Sequence, residues 1–150
     1  RVHHEGAPTT ANHPTLTAAG AMAAIDAAWH KSLELGVPVN ISVCDVGGNE
    51  LAFLRPDGAP FMSCGIARDK AYSVVAFNGL PTGAWHRIFK DDEPVWHGIV
   101  HRDRLVVFGG GVPVYVDGAL VGAVGCSGGS AEQDTQVATA GAEAVGTTSA

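Results

Sequence analysis

The sequence predicts an α/β (α+β) chain: a five-stranded, mainly antiparallel sheet flanked by helices, in the order α-ββ-α-βββ-α. Three features carry that reading. An Asp117-Gly118 pair joins two β-rich runs, apolar residues recur at helical spacing in separate segments, and glycine clusters punctuate the blocks. The 150 residues, 46% of them hydrophobic, suffice for a compact core, and the 20 glycines do not form a low-complexity tract.

Arg1 to Pro14 is polar and aperiodic, so residues 1–14 are expected to be a flexible arm preceding a single domain over 15–150. From Thr15 to Leu35, Met22, Ile25, Trp29 and Leu33 make an apolar helical stripe opposite Asp26, His30 and Glu34, and Gly36 ends the helix. Val39 to Cys44 and Glu50 to Arg55 flank Gly47-Gly48-Asn49 as a β-hairpin. Ser63 is expected to cap a second helix whose buried stripe is Ile66, Ala67, Ala71, Val74 and Val75. Residues 82–103 support only a short helix or ordered loop. Arg104–Phe108, Val112–Val116 and Ala119–Cys126 then read as three strands, the last two joined by a type I′ turn at Asp117-Gly118. Ser130 and Gln133 have capping-box spacing at the head of a closing helix that runs to about Val145.

Charge and cysteine usage exclude several classes. Nine Lys and Arg against 15 Asp and Glu give a net charge of −6, and the only basic cluster is His101-Arg102-Asp103-Arg104, so no nucleic-acid partner is expected. No apolar run reaches the ~18 residues of a membrane span, which predicts a soluble protein with no membrane partner. Cys44, Cys64 and Cys126 lack metal or disulfide spacing and favour a reducing, cytoplasmic setting, although a start at Arg1 leaves export open.

The candidate chemistry lies in two places. Lys70, between Ile66 and Val74 at helical spacing, either snorkels to the edge of the buried stripe, the favoured reading, or enters a cavity as a base or anion anchor. Ser127-Gly128-Gly129-Ser130 opens a helix and presents N–H groups that suit an anion, or simply caps that helix. Trp85, His86, Trp96, His97 and His101 crowd the irregular segment. His97 and His101 share a face if the segment is helical, whereas an extended chain would hold them about 13 Å apart, too far for one metal.

Lys70-Ala71-Tyr72, Phe108-Gly109-Gly110-Gly111-Val112-Pro113-Val114, the run from Asp117 through Gly129, and Glu132-Gln133-Asp134 occur in one order. Together they resemble the haem-binding family that includes GlcG, HbpS and the C-terminal domain of PduO-type proteins, from about Thr15 to Val145. The resemblance implies a profilin-like α/β sandwich, dimers that assemble further, commonly to octamers, and in some members a bound haem or related tetrapyrrole.

Two functions follow as expectations. The first is a homo-oligomeric haem or tetrapyrrole binder, with His97 or His101 as the candidate iron ligand and Lys70 or the 127–130 loop near a propionate. The ligand-binding set is Trp85, His86, Trp96, Gly110, Gly111, Ser127, Gly128, Gly129 and Glu132. The alternative is a cofactor-independent hydrolase, isomerase or lyase acting on a small carboxylated or hydroxylated catabolite. There Lys70, His97 and His101 would be catalytic, with imidazole as general acid or base and lysine as anion anchor.

Overall fold

The computed structural model describes residues 5–150. The start of the expected arm, Arg1–His4, lies outside them, and from Glu5 to Pro14 the chain is exposed, without helix or strand. Leu16 then enters the core, its N–H bonded to the Val121 carbonyl at 2.9 Å.

Helix α1, Ala18–Leu35, begins at Thr17, whose hydroxyl accepts the Gly20 N–H, and ends where Gly36 turns left-handed at φ 69°. Its expected apolar stripe is mostly outside: Met22, Trp29 and Leu33 are 59%, 40% and 63% exposed, and the buried face is Ala21, Ala24, Ile25, Ala28 and Ser32. Close packing explains the inversion. Helix α5, Ala131–Glu143, crosses α1 at Gly141, where even a Cβ would sit 2.9 Å from the Ala24 carbonyl oxygen and 3.2 Å from the Ala28 methyl, so only small residues fit the seam.

Strands β1 (Asn40–Asp45) and β2 (Glu50–Leu54) form the first hairpin, and β3 (Gly111–Val116) and β4 (Ala119–Ser127) the second. At the second turn Asp117 and Gly118 both have positive φ, 52° and 78°, as a type I′ turn demands. The sheet is antiparallel in the order β2-β1-β4-β3. It has four strands, not the expected five. Arg104–Phe108 is not a strand, because part of its backbone is engaged by a side chain of helix α2 (Cys64–Ala76): the Ser73 hydroxyl accepts the Val106 N–H at 3.0 Å and shares its one proton between the Asp69 carbonyl at 2.6 Å and the Arg104 carbonyl at 3.0 Å. Arg104 itself is left-handed, φ 63°, which breaks an extended run.

Helices α1 and α5 cover one face of the sheet, and α2 covers the other. Ile41, Val43, Val112, Val114, Val124 and Cys126 point into the larger core beneath α1 and α5, while Cys44 and Ala123 meet Ala71 and Val74 of α2. Ser63 stands at the head of α2 but does not cap it. Its hydroxyl is taken by the Pro60 and Ser127 carbonyls and by the Asn40 amide, which ties the helix start to two strands. Between α2 and β3 lie a 3-10 turn, Thr82–Ala84, and two short helices, α3 (Trp85–Phe89) and α4 (Glu93–Ile99). No helix of the described residues is long and apolar enough to cross a membrane.

Burial pushes the Cys44 thiol from its ordinary 9.0 up to about 12, and raises Cys126 further for the same reason. A folded-state pKa raised above the unfolded one gives stability that is complete below pH 9 and declines as pH rises toward 12, because the unfolded chain releases its proton first. The stability advantage of wild type over Cys44→Ala should therefore shrink by ~2 kcal/mol between pH 8 and pH 10.5, at about 1.4 kcal/mol per unit above 9. Urea unfolding at the two pH values checks this, and a constant difference contradicts it.

Candidate functional site

Lys70 is where α2, β4 and α5 meet. Its side chain is 1% exposed, so it neither snorkels nor opens onto solvent. The ammonium donates to the Cys126 carbonyl at 2.8 Å and to Asp134 Oδ2 at 3.1 Å, and lies 5.1 Å from the centre of the Phe108 ring. Burial lowers the Lys70 pKa from 10.5, and the Asp134 charge partly opposes that shift. Asp134 is also buried, and its second oxygen accepts the Gly129 N–H at 2.9 Å.

The glycine clusters are built around this pair. Gly110 has φ 129°, and a Cβ there would lie 2.5 Å from Lys70 Nζ, so the ammonium passes where a side chain would stand. Gly111 donates its N–H to the Thr82 hydroxyl at 2.8 Å, and a Cβ would press on the Lys70 carbonyl at 2.7 Å. Ser127 is buried at the end of β4, and Gly128 takes φ 151° beneath Pro38 and Val39. The capping box at Ser130 is present in full. With the Gly129 N–H on Asp134 and the Ser130 N–H on the Gln133 side chain at 2.9 Å, this loop spends those donors internally. Glu132 is exposed in the first turn of α5 and joins no ion pair among the described residues.

The aromatic and imidazole residues form a second group, on α3 and α4. Trp85 is 2% exposed, clustered with Phe77 and Phe89 at ring-centroid distances of 4.8 and 5.1 Å in tilted geometry, and its indole N–H is buried without a hydrogen-bond partner. His86 meets Trp96 edge-to-face at 5.3 Å. The α4 helix is capped by Asp92, which accepts the Val95 N–H at 3.3 Å, and carries His97 in its last turn. Beyond Ile99 the chain makes tight turns, with the His101 N–H on the Gly98 carbonyl at 3.2 Å and the Arg102 N–H on the Ile99 carbonyl at 2.9 Å, so the extended alternative does not apply. Those tighter turns rotate His101 further around the axis from His97 than a regular α-helix would. Both imidazoles are exposed, as is His86. Among the described residues, no three or more His, Cys, Asp or Glu side chains gather as a metal site, and no hydrogen bond or ion pair links Lys70 to His97 or His101.

Asp134 appears in the sequence only as the end of the Glu132-Gln133-Asp134 string that carries the family resemblance, with no partner indicated. Its i+4 spacing from Ser130 gave one usable signal: it places the carboxylate one turn into α5, directly behind the glycine loop.

A four-stranded antiparallel sheet between helix layers, with a glycine-lined buried Lys–Asp pair at its edge, defines an α/β sandwich class. Within that class, the family model described as haem degrading protein HbpS-like matches residues 16–143, and the chain belongs to this family. It is 41% identical over 128 residues to a 15.0 kDa protein in the dhaT-dhaS intergenic region of Citrobacter freundii, covering 83% of this chain and 87% of that one. It is 34% identical over 116 residues to the corrinoid adenosyltransferase PduO of Salmonella typhimurium, covering 75% of this chain but spanning 33% of that protein. The crystal structure of a PduOC:heme complex superimposes with TM-score 0.79 at 29% identity, over 91% of this chain and 99% of the other.

Proposed function

We propose that this chain binds haem or a related tetrapyrrole as a homo-oligomer of profilin-like units, each built from residues 15–150. The observation that carries the reading is the segment from α3 to the turn after α4, which exposes the imidazoles of His97 and His101 and the apolar side chains of Ile88, Val95 and Val100. One neutral imidazole suffices as an axial ligand, and the apolar neighbours suit the face of a macrocycle. Trp96, held by His86, adds a half-buried aromatic edge. Bound haem would supply an iron centre, and the chain's part is to place the imidazole and exclude water from one face.

Family membership and the 29% identical haem-complexed domain support the ligand. The uncovered Met22, Trp29 and Leu33 of α1 support a second copy, since an apolar helix face of that kind is usually buried in an assembly. The enzymatic alternative draws on the same imidazoles, but Lys70, its anion anchor, is committed to Asp134 and closed from solvent.

Hemin titration tests the reading. A saturable Soret shift is expected, weakened about tenfold or more in His97→Ala/His101→Ala, the loss of roughly 1.4 kcal/mol or more of ligation. No saturable shift, or one that the double substitution leaves intact, overturns the assignment.

A further inference from the structure

A cleft of about 240 Å³ lies between α2 and the turn that follows α4, apart from the Lys70–Asp134 pair. Ala76, Phe77, Trp85, Ile99 and Leu105 give it apolar walls. Its other polar lining is largely spoken for: the Ser73 hydroxyl serves the Arg104 carbonyl and the Val106 N–H, and the Tyr72 ring is covered by the Arg104 guanidinium at 4.0 Å. Arg104 is itself paired with Asp69 at 3.0 Å.

Two lining residues stand out by contrast. Arg102 and Asp103 are adjacent, exposed and opposite in charge, yet they form no ion pair with each other or with any other described residue. A third lining residue, Trp85, holds the one buried side-chain polar atom among the described residues that lacks a partner. A buried donor left unmatched carries its full desolvation penalty until an acceptor reaches it. Phe77, tilted against that indole with ring centroids 4.8 Å apart and 48% exposed, lines the same cleft beside it.

We propose that this cleft is a binding site for a free 2-amino acid with an apolar side chain. The carboxylate lies on Arg102, whose planar guanidinium matches it with two parallel hydrogen bonds. The ammonium lies on Asp103, the side chain packs against Phe77, Trp85 and Leu105, and the Trp85 N–H gives the carboxylate a further donor. The volume falls below the ~300 Å³ at which drug-sized sites begin, as suits a molecule the size of leucine or phenylalanine. The proposal does not rest on haem binding, although the cleft, through Arg102, lies beside His101 in the chain.

Isothermal titration of the full, hemin-free chain tests it with L-leucine, 4-methylpentanoate, which lacks the ammonium, 3-methylbutylamine, which lacks the carboxylate, and glycine, which lacks the apolar side chain. Saturable binding of L-leucine is expected, with each trimmed probe at least tenfold weaker. Arg102→Gln and Asp103→Asn should each weaken L-leucine at least tenfold, and Trp85→Phe several-fold, with circular dichroism confirming that each variant is folded. A Kd for L-leucine above about 10 mM overturns the site. Equal binding of 4-methylpentanoate overturns the role of Asp103, and unchanged affinity in folded Arg102→Gln overturns the placement in this cleft.

Discussion

Asp134→Ala is expected to destabilise the protein by about 3–5 kcal/mol, because it leaves the Lys70 ammonium buried with the Cys126 carbonyl as its remaining hydrogen-bond partner. The same substitution strips the Gly129 N–H of its acceptor. The effect has a pH signature. Burial already holds the Lys70 pKa below 10.5, and Asp134 raises it, so removing the carboxylate lowers it further. In that variant the folded chain gives up the lysine proton before the unfolded chain does. The penalty is therefore complete at low pH and shrinks as pH rises toward 10.5. Replacing both partners by apolar groups, Lys70→Met/Asp134→Leu, should recover most of the loss, since neither charge then has to be desolvated. Urea unfolding of the single and double variants at pH 7 and pH 10 separates these outcomes. A loss below about 1 kcal/mol in Asp134→Ala would mean that the ammonium escapes past the exposed Phe108 ring instead of staying enclosed.

What the sequence disclosed divides along the line between local and tertiary causes. The Asp117-Gly118 turn, the Ser130–Gln133 capping box and the Gly36 helix stop were legible because each depends on residues within one turn of one another. Arg104–Phe108 was misread because Val106 and Val107 look like strand residues, whereas the hydroxyl that engages part of this stretch belongs to Ser73, about thirty positions earlier. The outward face of α1 follows from the small-residue seam with α5, a contact between Ala24 and Gly141 that no period within α1 encodes. The site divides in the same way. Lys70 was singled out by its place on the helix stripe, but its partner lies 64 residues away, on a different helix. The imidazoles were visible as residue types, while their exposure and the pairing of His86 with Trp96 depended on the turn between α3 and α4.

Gly110→Ala is the second change with a large expected effect, about 4 kcal/mol, from two sources of similar size. At φ 129° a side chain is strained whatever the space around it, which accounts for roughly 1–3 kcal/mol. The added methyl would also lie 2.5 Å from both the Cys126 carbonyl oxygen and Lys70 Nζ, and forcing apart a packed contact of this kind adds about 1–3 kcal/mol. Gly118→Ala separates the two. It also has positive φ, 78°, but meets nothing within 4 Å, so it should lose only the backbone contribution, about 1–2 kcal/mol. Because the Cys126 N–H bonds the Gly110 carbonyl at 2.8 Å, movement of Gly110 also pulls on the carbonyl that holds Lys70. Gly110→Ala and Asp134→Ala are thus expected to couple, with a double variant that loses less than the sum of the two single losses. If Gly110→Ala loses no more than Gly118→Ala, Lys70 yields without resistance, and the glycine cluster owes its place to backbone conformation alone.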